Sequence, residues 1–101
     1  MKESFKTTLW VNNVTVELNP FVEEFLARTV AGAVSALKGA EDIRSLELHL
    51  EQGHIKIIVN GNELLLTPFP NDIIANTLTG LVSSLKGVDK IESLKINMNA
   101  L

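Results

Sequence analysis

Two stretches of the chain alternate apolar and polar residues on either side of a dipeptide that begins with asparagine. Asn60-Gly61 accepts the two positive φ angles of a type I′ turn, so residues 55–59 and 62–66 are predicted to form a β-hairpin. Asn12-Asn13 stands in the same position between two similar segments. The pattern therefore predicts two hairpins of matching register.

This register assigns each hairpin residue to one face of a sheet, because neighbouring side chains of a strand point to opposite faces. The predicted inward pairs are Val11 with Val14, Leu9 with Val16, Val59 with Asn62 and Ile57 with Leu64. The outward set contains three large apolar residues, Trp10, Ile58 and Leu65. Large apolar groups on a polar face are typical of interaction surfaces, so these three residues form the candidate interface. The alternatives are scattered exposure of single apolar side chains, which is common on protein surfaces, and folding of Trp10 over an edge of the sheet.

Two helices are predicted where proline follows an N-cap type of residue, at Asn19-Pro20 and Thr67-Pro68. The helices are expected over about 20–38 and 68–86, each ending at a glycine in the left-handed conformation. The two capping glycines are Gly39 and Gly87.

The apolar arc of each predicted helix is wider than packing on a sheet requires. In the first helix it is widened on one side by Phe21, Phe25, Gly32 and Ala36, and the equivalent residues of the second helix are Phe69, Ile73, Gly80 and Ser84. Glycine inside a helix costs about 1 kcal/mol relative to alanine, which close approach of a neighbouring helix would explain. We therefore expect the helices to lie side by side and to touch near Gly32 and Gly80.

The chain repeats itself with an offset of 48 residues. Aligning 11–50 with 59–98 without a gap gives 16 identical pairs in 40 positions. Two repeats are too few for a solenoid. The sequence therefore predicts a single domain over 1–101, in which repeat 1 (about 5–50) and repeat 2 (about 54–98) are related by a pseudo-two-fold axis.

Each repeat is predicted to be a β-β-α-β unit, closed by an alternating strand at 45–50 or 93–98. Right-handed crossovers between parallel strands 2 and 3, and between parallel strands 5 and 6, would place both helices on one face. The expected fold is an α+β two-layer sandwich with a six-stranded mixed sheet. The simplest strand order is 1-2-3-4-5-6, and exchange of hairpins between the repeats fits the pattern equally well.

Composition and charge narrow the classes of partner. Apolar residues make up 46% and charged residues 21% of the 101, as in an ordinary globular domain. The net charge of −3 has the wrong sign for binding phosphate backbones, so we expect no nucleic-acid partner. No run approaches the roughly 18 apolar residues of a membrane span, so we expect no membrane association. The chain has no cysteine, which excludes disulfides and thiolate sites and fits a cytoplasmic location.

Residues with potential chemistry are few. The possible metal ligands are Glu47, His49, Glu51 and His54, around the hairpin that joins the repeats. Positions i and i+2 of one strand rarely converge on one ion, so a solvated strand is favoured and no metal or cofactor is expected. Ser35 and Ser83 lie inside predicted helices without a nearby histidine or aspartate in the sequence, which argues against a nucleophile.

The sequence therefore predicts a non-enzymatic domain. It is expected to form a homo-oligomer or to bind a protein partner through the open sheet face or an edge strand. The alternative is a small apolar ligand held in a pocket between the helices and the sheet, near Phe21, Phe25, Phe69 and Ile73.

Overall fold

A computed structural model describes residues 4–37, 42–85 and 87–101. These residues form six strands and two helices. In chain order the elements are β1 (Phe5–Val11), β2 (Val14–Val16), α1 (Pro20–Ser35), β3 (Ser45–Glu51), β4 (His54–Val59), β5 (Asn62–Leu64), α2 (Pro68–Ser83) and β6 (Ser93–Ala100).

All six strands belong to one open sheet of order β2-β1-β6-β3-β4-β5, and every neighbouring pair is antiparallel. The fold is therefore α+β, as predicted, but the mixed sheet and the order 1-2-3-4-5-6 are wrong. β6 lies between β1 and β3, so β2 and β3 are not neighbours and no parallel pair forms. Alternation within a strand shows which residues face the core, and it does not show which strand lies alongside.

Each hairpin pairs with the closing strand of the other half of the chain. Leu9 on β1 faces Ile96 on β6, and Ile57 on β4 faces Leu48 on β3. Leu48 and Ile96 in turn face each other where β3 and β6 pair. This is the exchanged arrangement that the sequence pattern left open.

The predicted hairpin register is confirmed. Leu9 pairs with Val16 and Ile57 pairs with Leu64, as expected from turns centred on the two asparagine dipeptides. The turn residues have positive φ angles, which are 52° and 68° at Asn12 and Asn13 and 51° and 85° at Asn60 and Gly61. The ladders end at Val16 and Leu64, two residues earlier than the predicted strands.

The two turn asparagines hold the start of a closing strand. Asn12 Oδ1 accepts hydrogen bonds from the backbone N–H groups of Glu92 and Ser93, at 2.7 and 3.0 Å. Asn60 Oδ1 accepts the equivalent bonds from Arg44 and Ser45, at 2.8 and 2.9 Å. The same contact therefore occurs twice, because Asn12 and Asn60 are 48 positions apart in the chain and so are the residues that they bind.

The core combines alternate residues of the sheet with residues of both helices. The buried sheet residues include Leu9, Val11, Leu46, Leu48, Leu50, Ile57, Val59, Leu94, Ile96 and Met98. The inward faces predicted for both closing strands are thus confirmed. The helices contribute Leu26, Ala27, Val30, Ala31, Val34, Ile74, Ala75, Leu78 and Val82 to the same cluster.

Both helices end about three residues before the predicted positions. Their C-caps are Ala36 and Ser84, each in the right-handed helical region, so the glycine caps are wrong. At the end of α1 the backbone N–H of Leu37 donates to the carbonyl of Val34, and this i to i−3 bond tightens the last turn. Gly87 has a φ of 82° in the segment after the C-cap of α2, and Gly39 lies outside the described residues.

The expected helix contact at the two glycines is also wrong. A Cβ atom added at Gly32 or Gly80 would meet no described atom within 4 Å. α1 instead turns Ala27 and Ala31 toward the core, which leaves the flank with the phenylalanines uncovered. A helical wheel identifies an apolar flank, and it does not indicate how far away the next helix lies.

Candidate functional site

Trp10 lies on the outer face of the sheet, half-buried between β2 and β6. Its cross-strand neighbours are Thr15 and Lys95. The Lys95 Nζ atom lies 4.9 Å from the centre of the indole ring, a cation–π distance. The ring therefore already has an intramolecular partner on its exposed side.

Ile58 and Leu65, the other two residues of the candidate interface, do not lie beside Trp10. Ile58 is half-buried on β4, and two strands separate it from β1. Three strand spacings put Trp10 and Ile58 at least about 14 Å apart, with polar residues such as Glu47 between them. Leu65 follows the last residue of β5 and is 89% exposed. The three residues thus lie at three separate places.

The four possible metal ligands, Glu47, His49, Glu51 and His54, line one open depression, and the two serines lie elsewhere, on the helices. His49 Nε2 lies 3.7 Å from Glu47 Oε1, and both side chains are partly exposed. Within 4–37, 42–85 and 87–101, no three histidine or carboxylate side chains are grouped to hold a metal ion. Ser35 and Ser83 donate hydrogen bonds to carbonyl groups of their own helices, those of Ala31 and Gly80.

The largest exposed apolar side chains that share one surface come from the two helices. Phe21 and Phe69 are each 74% exposed, Phe25 is 51% exposed and Ile73 is 50% exposed. The rings of Phe21 and Phe25 stack with centroids 5.9 Å apart. These four residues, with the two clefts beside them, are called the helical surface below.

The first cleft, called the Phe69 cleft, has a volume of about 340 Å³. Both helices line it and its floor reaches Leu48 on the central strand β3. Its upper walls are formed by Phe69, Pro70, Ile73 and Thr77 from α2 and by Thr29, Ala33, Ala36 and Leu37 from α1 and its C-terminal end.

The second cleft, called the Phe21 cleft, has a volume of about 390 Å³. It is lined by Phe21, Val22, Phe25 and Thr29 from α1 and by Thr77, Leu81, Ser84 and Leu85 from α2 and its C-terminal end. Each of these residues is the 48-residue equivalent of a residue in the upper walls of the Phe69 cleft. Thr29 and Thr77 line both clefts.

The chemistry of the clefts is apolar. None of the described residues that line them carries a charge, and the polar ones are threonine and serine. The hydroxyl of Thr29 donates to the carbonyl of Phe25 at 2.8 Å, and that of Ser84 donates to the carbonyl of Gly80 at 3.1 Å. Such a surface can bind apolar groups, and it offers no acid, base or nucleophile of its own among these residues.

Sequence reasoning found the four exposed residues and missed the walls that face them. The overlooked cleft residues are Ala33, Leu37, Leu81 and Leu85. They were missed because the helices were expected to be in contact, which would leave no cleft. The signal that pointed to these walls was the apolar arc of each helix, which is wider than packing on a sheet requires.

No protein-family model matches this chain, and no curated protein sequence or solved structure matches it. Neither helix is long and apolar enough to cross a lipid bilayer, as far as the chain is described. The function of the helical surface is therefore inferred from its geometry.

Proposed function

We propose that this chain is a non-enzymatic protein-binding domain and that the helical surface is its binding site. The observation that carries the proposal is the exposure of four large apolar side chains around two uncharged clefts. Exposed apolar side chains that are grouped on one surface commonly mark a site where a partner or ligand binds.

The energetics favour a partner with its own bulky apolar groups. Burying one large apolar side chain contributes about 1.5–3 kcal/mol, and four of them are exposed here. Phe21 and Phe25 are already stacked, so they lose little conformational freedom when a partner covers them. Aromatic side chains beside a cleft are the residues that most often dominate binding energy at protein interfaces.

The finer architecture is also a proposal. We infer that the chain is a duplicated β-β-α-β unit with both helices layered on one face of the sheet. Two observations support this inference. The contacts of Asn12 recur at Asn60, and both helices line a cleft whose floor is the sheet residue Leu48.

The sequence pattern predicts a different interface, on the outer face of the sheet, with Trp10, Ile58 and Leu65 as its main contact residues. The geometry favours the helical surface instead, because Lys95 lies over Trp10 and the three residues are separated. A small apolar ligand is the second candidate function. The volume of the Phe69 cleft, about 340 Å³, lies within the usual 300–1,000 Å³ range of ligand pockets.

Site-specific photo-crosslinking in the native cells tests the protein-binding proposal. A benzophenone amino acid replaces Ile73 on the helical surface, Thr79 on the other side of the same helix, or Lys56 on the outer sheet face. All three positions are exposed, and of the three only Ile73 lines one of the two clefts of the helical surface. We expect a protein-sized adduct from position 73 and none from positions 79 and 56.

Two results would contradict the proposal. Equal adducts from all three positions would mean non-specific contact. The absence of an adduct at position 73, or an adduct there of only a few hundred daltons, would exclude a protein partner at the helical surface. The small adduct would support the ligand alternative.

A further inference from the structure

We infer that the partner on the helical surface is a second copy of this chain, seated face to face. The inference rests on the proposed function and names the occupant of the same surface. It is drawn from the symmetry of the surface, from its lack of charge and from its size.

The symmetry of the surface matches a second copy. Phe21 and Phe25 border one cleft, and the residues 48 positions later, Phe69 and Ile73, border the other. An unrelated partner would have to present two apolar groups with the same spacing. A second copy presents that spacing automatically, and in a two-fold dimer every contact occurs twice.

The charge distribution also suits self-association. A two-fold axis brings each charged group near the axis close to its own like-charged copy, which opposes association. The described residues that line the clefts include no charged side chain. The central strands of the outer face, in contrast, carry Glu47 and Lys95. The two clefts can therefore meet their own copies without charge repulsion, and the exposed Glu24 and Arg28 of α1 are paired with each other.

The area of the surface is close to the minimum that a specific dimer needs. Each helix has 16 residues and is therefore about 24 Å long. Two such helices, each about 10 Å across with its side chains, present a surface of at least about 24 by 20 Å, or about 1,000 Å² in total for two copies. This is near the lower bound for specific interfaces, and Phe21 and Phe69 lie on it in the first turns of the two helices.

Sedimentation velocity of the purified full-length chain tests the inference. At about 100 µM we expect twice the monomer mass of 11.1 kDa. The double variant Phe21→Asn, Phe69→Asn should sediment as a monomer with an unchanged circular dichroism spectrum, because both rings are mostly exposed. The control variant Trp10→Lys, Ile58→Lys changes two large residues of the outer face and should remain a dimer.

Distance measurement keeps the inference testable if the phenylalanine variant unfolds. The chain has no cysteine, so Asn76→Cys on α2 and Lys56→Cys on β4 can each carry one spin label. The molecule is 19 Å thick in its shortest dimension. In a dimer joined at the helical surface, the two labels at position 76 should be closer together than the two at position 56.

Three results would overturn the inference. They are a monomeric wild-type chain at several hundred micromolar, a dimer that persists in a folded phenylalanine variant, and labels that are closer at position 56 than at 76. A monomer that still gives a protein adduct at position 73 in cells would leave the proposed function standing with a different partner. A monomer that gives no such adduct would overturn both the inference and the proposed function.

Discussion

Leu48 and Ile96 face each other at the centre of the sheet, and both side chains are fully buried. They are 48 residues apart, and each is flanked on its far side by a residue of a hairpin, Ile57 beside Leu48 and Leu9 beside Ile96. One buried row therefore crosses four strands and alternates between the two halves of the chain. Neither half can complete its part of the core without the other.

Asn60 is predicted to be a major stabilising residue of the turn. Its side chain makes three hydrogen bonds, to the N–H groups of Arg44 and Ser45 and to the carbonyl of Asp42, and its φ is 51°. Asn60→Ala removes these bonds and places alanine in the left-handed region. It should lower the free energy of unfolding by about 3 kcal/mol, as measured by urea denaturation.

Two further variants separate the causes of this effect. Asn60→Gly tolerates the positive φ and should lose only the part that comes from the hydrogen bonds. Asn13→Gly is the control, because Asn13 also has a positive φ of 68° and its side chain has no hydrogen-bond partner among the residues described. If Asn60→Gly is as stable as the wild type, the side-chain bonds do not contribute.

Glu23 is predicted to stabilise strand β1 from the first turn of α1. Its Oε2 atom accepts a hydrogen bond from the backbone N–H of Thr7 at 3.0 Å. Glu23→Ala should cost about 1–2 kcal/mol in urea denaturation, because it leaves this part-buried N–H without that partner. Glu23→Gln keeps an acceptor and should cost less. Asn71 makes the equivalent bond to Ile55 with an amide oxygen.

Glu24→Ala is the matched control for Glu23. Glu24 forms an ion pair with Arg28 one turn along the helix, and both side chains are more than half exposed. Exposed pairs of this kind contribute about 0.5 kcal/mol or less. Equal losses in Glu23→Ala and Glu24→Ala would show that the Thr7 hydrogen bond has no special role.

Thr7 is predicted to be a site where a substitution increases stability. It is 6% exposed, and its hydroxyl oxygen has no hydrogen-bond partner in the described structure. Thr7→Val keeps the shape and removes the buried polar group, so it should add about 1 kcal/mol. In a thermal scan this corresponds to an increase in Tm of about 4–8 °C. The equivalent residue of the other half is already apolar, Ile55.

Thr8→Val is the control for this prediction. Thr8 is the next residue on β1, half-buried on the outer face of the sheet where water reaches it. Its substitution should change Tm by less than that of Thr7. A decrease in Tm for Thr7→Val would mean that the hydroxyl has a partner that stabilises it.

Position 80 is predicted to accept a residue larger than glycine without a clash inside the same chain. A Cβ atom there meets no described atom within 4 Å, and the residue lies in the interior of α2. Gly80→Ala should therefore add about 1 kcal/mol of helix stability, measured by urea denaturation at a fixed protein concentration. Gly32→Ala on α1 should behave alike. A loss of stability in either variant would show that another chain approaches the glycine closely.

Local sequence patterns account for the local features of this protein. The asparagine dipeptides predicted both hairpin turns with the correct register, and strict alternation predicted the buried residues of β3 and β6. Proline after an N-cap residue predicted the start of both helices. These features depend on residues within a few positions of one another, so their physical causes are present in a short stretch of chain.

The candidate site was only partly predictable. The apolar residues near Phe21, Phe25, Phe69 and Ile73 were identified as a possible pocket, whereas their exposure and the division into two clefts were not. An apolar side chain has the same place on a helical wheel whether it is buried by a neighbouring helix or exposed beside a cleft. The choice depends on the spacing of α1 and α2, which the pattern of one helix does not contain.

The strand order and the separation of the helices depend on packing between distant parts of the chain. Any antiparallel neighbour satisfies the alternation of β1, and the chain uses β6, which lies more than 80 residues away from it in sequence. The exchange of hairpins buries the same residues as the simple order would, so the hydrophobic pattern is identical for both. The two arrangements differ in contacts between distant parts of the chain, such as those of Asn12 with Glu92 and Ser93, and only the packed structure brings these residues together.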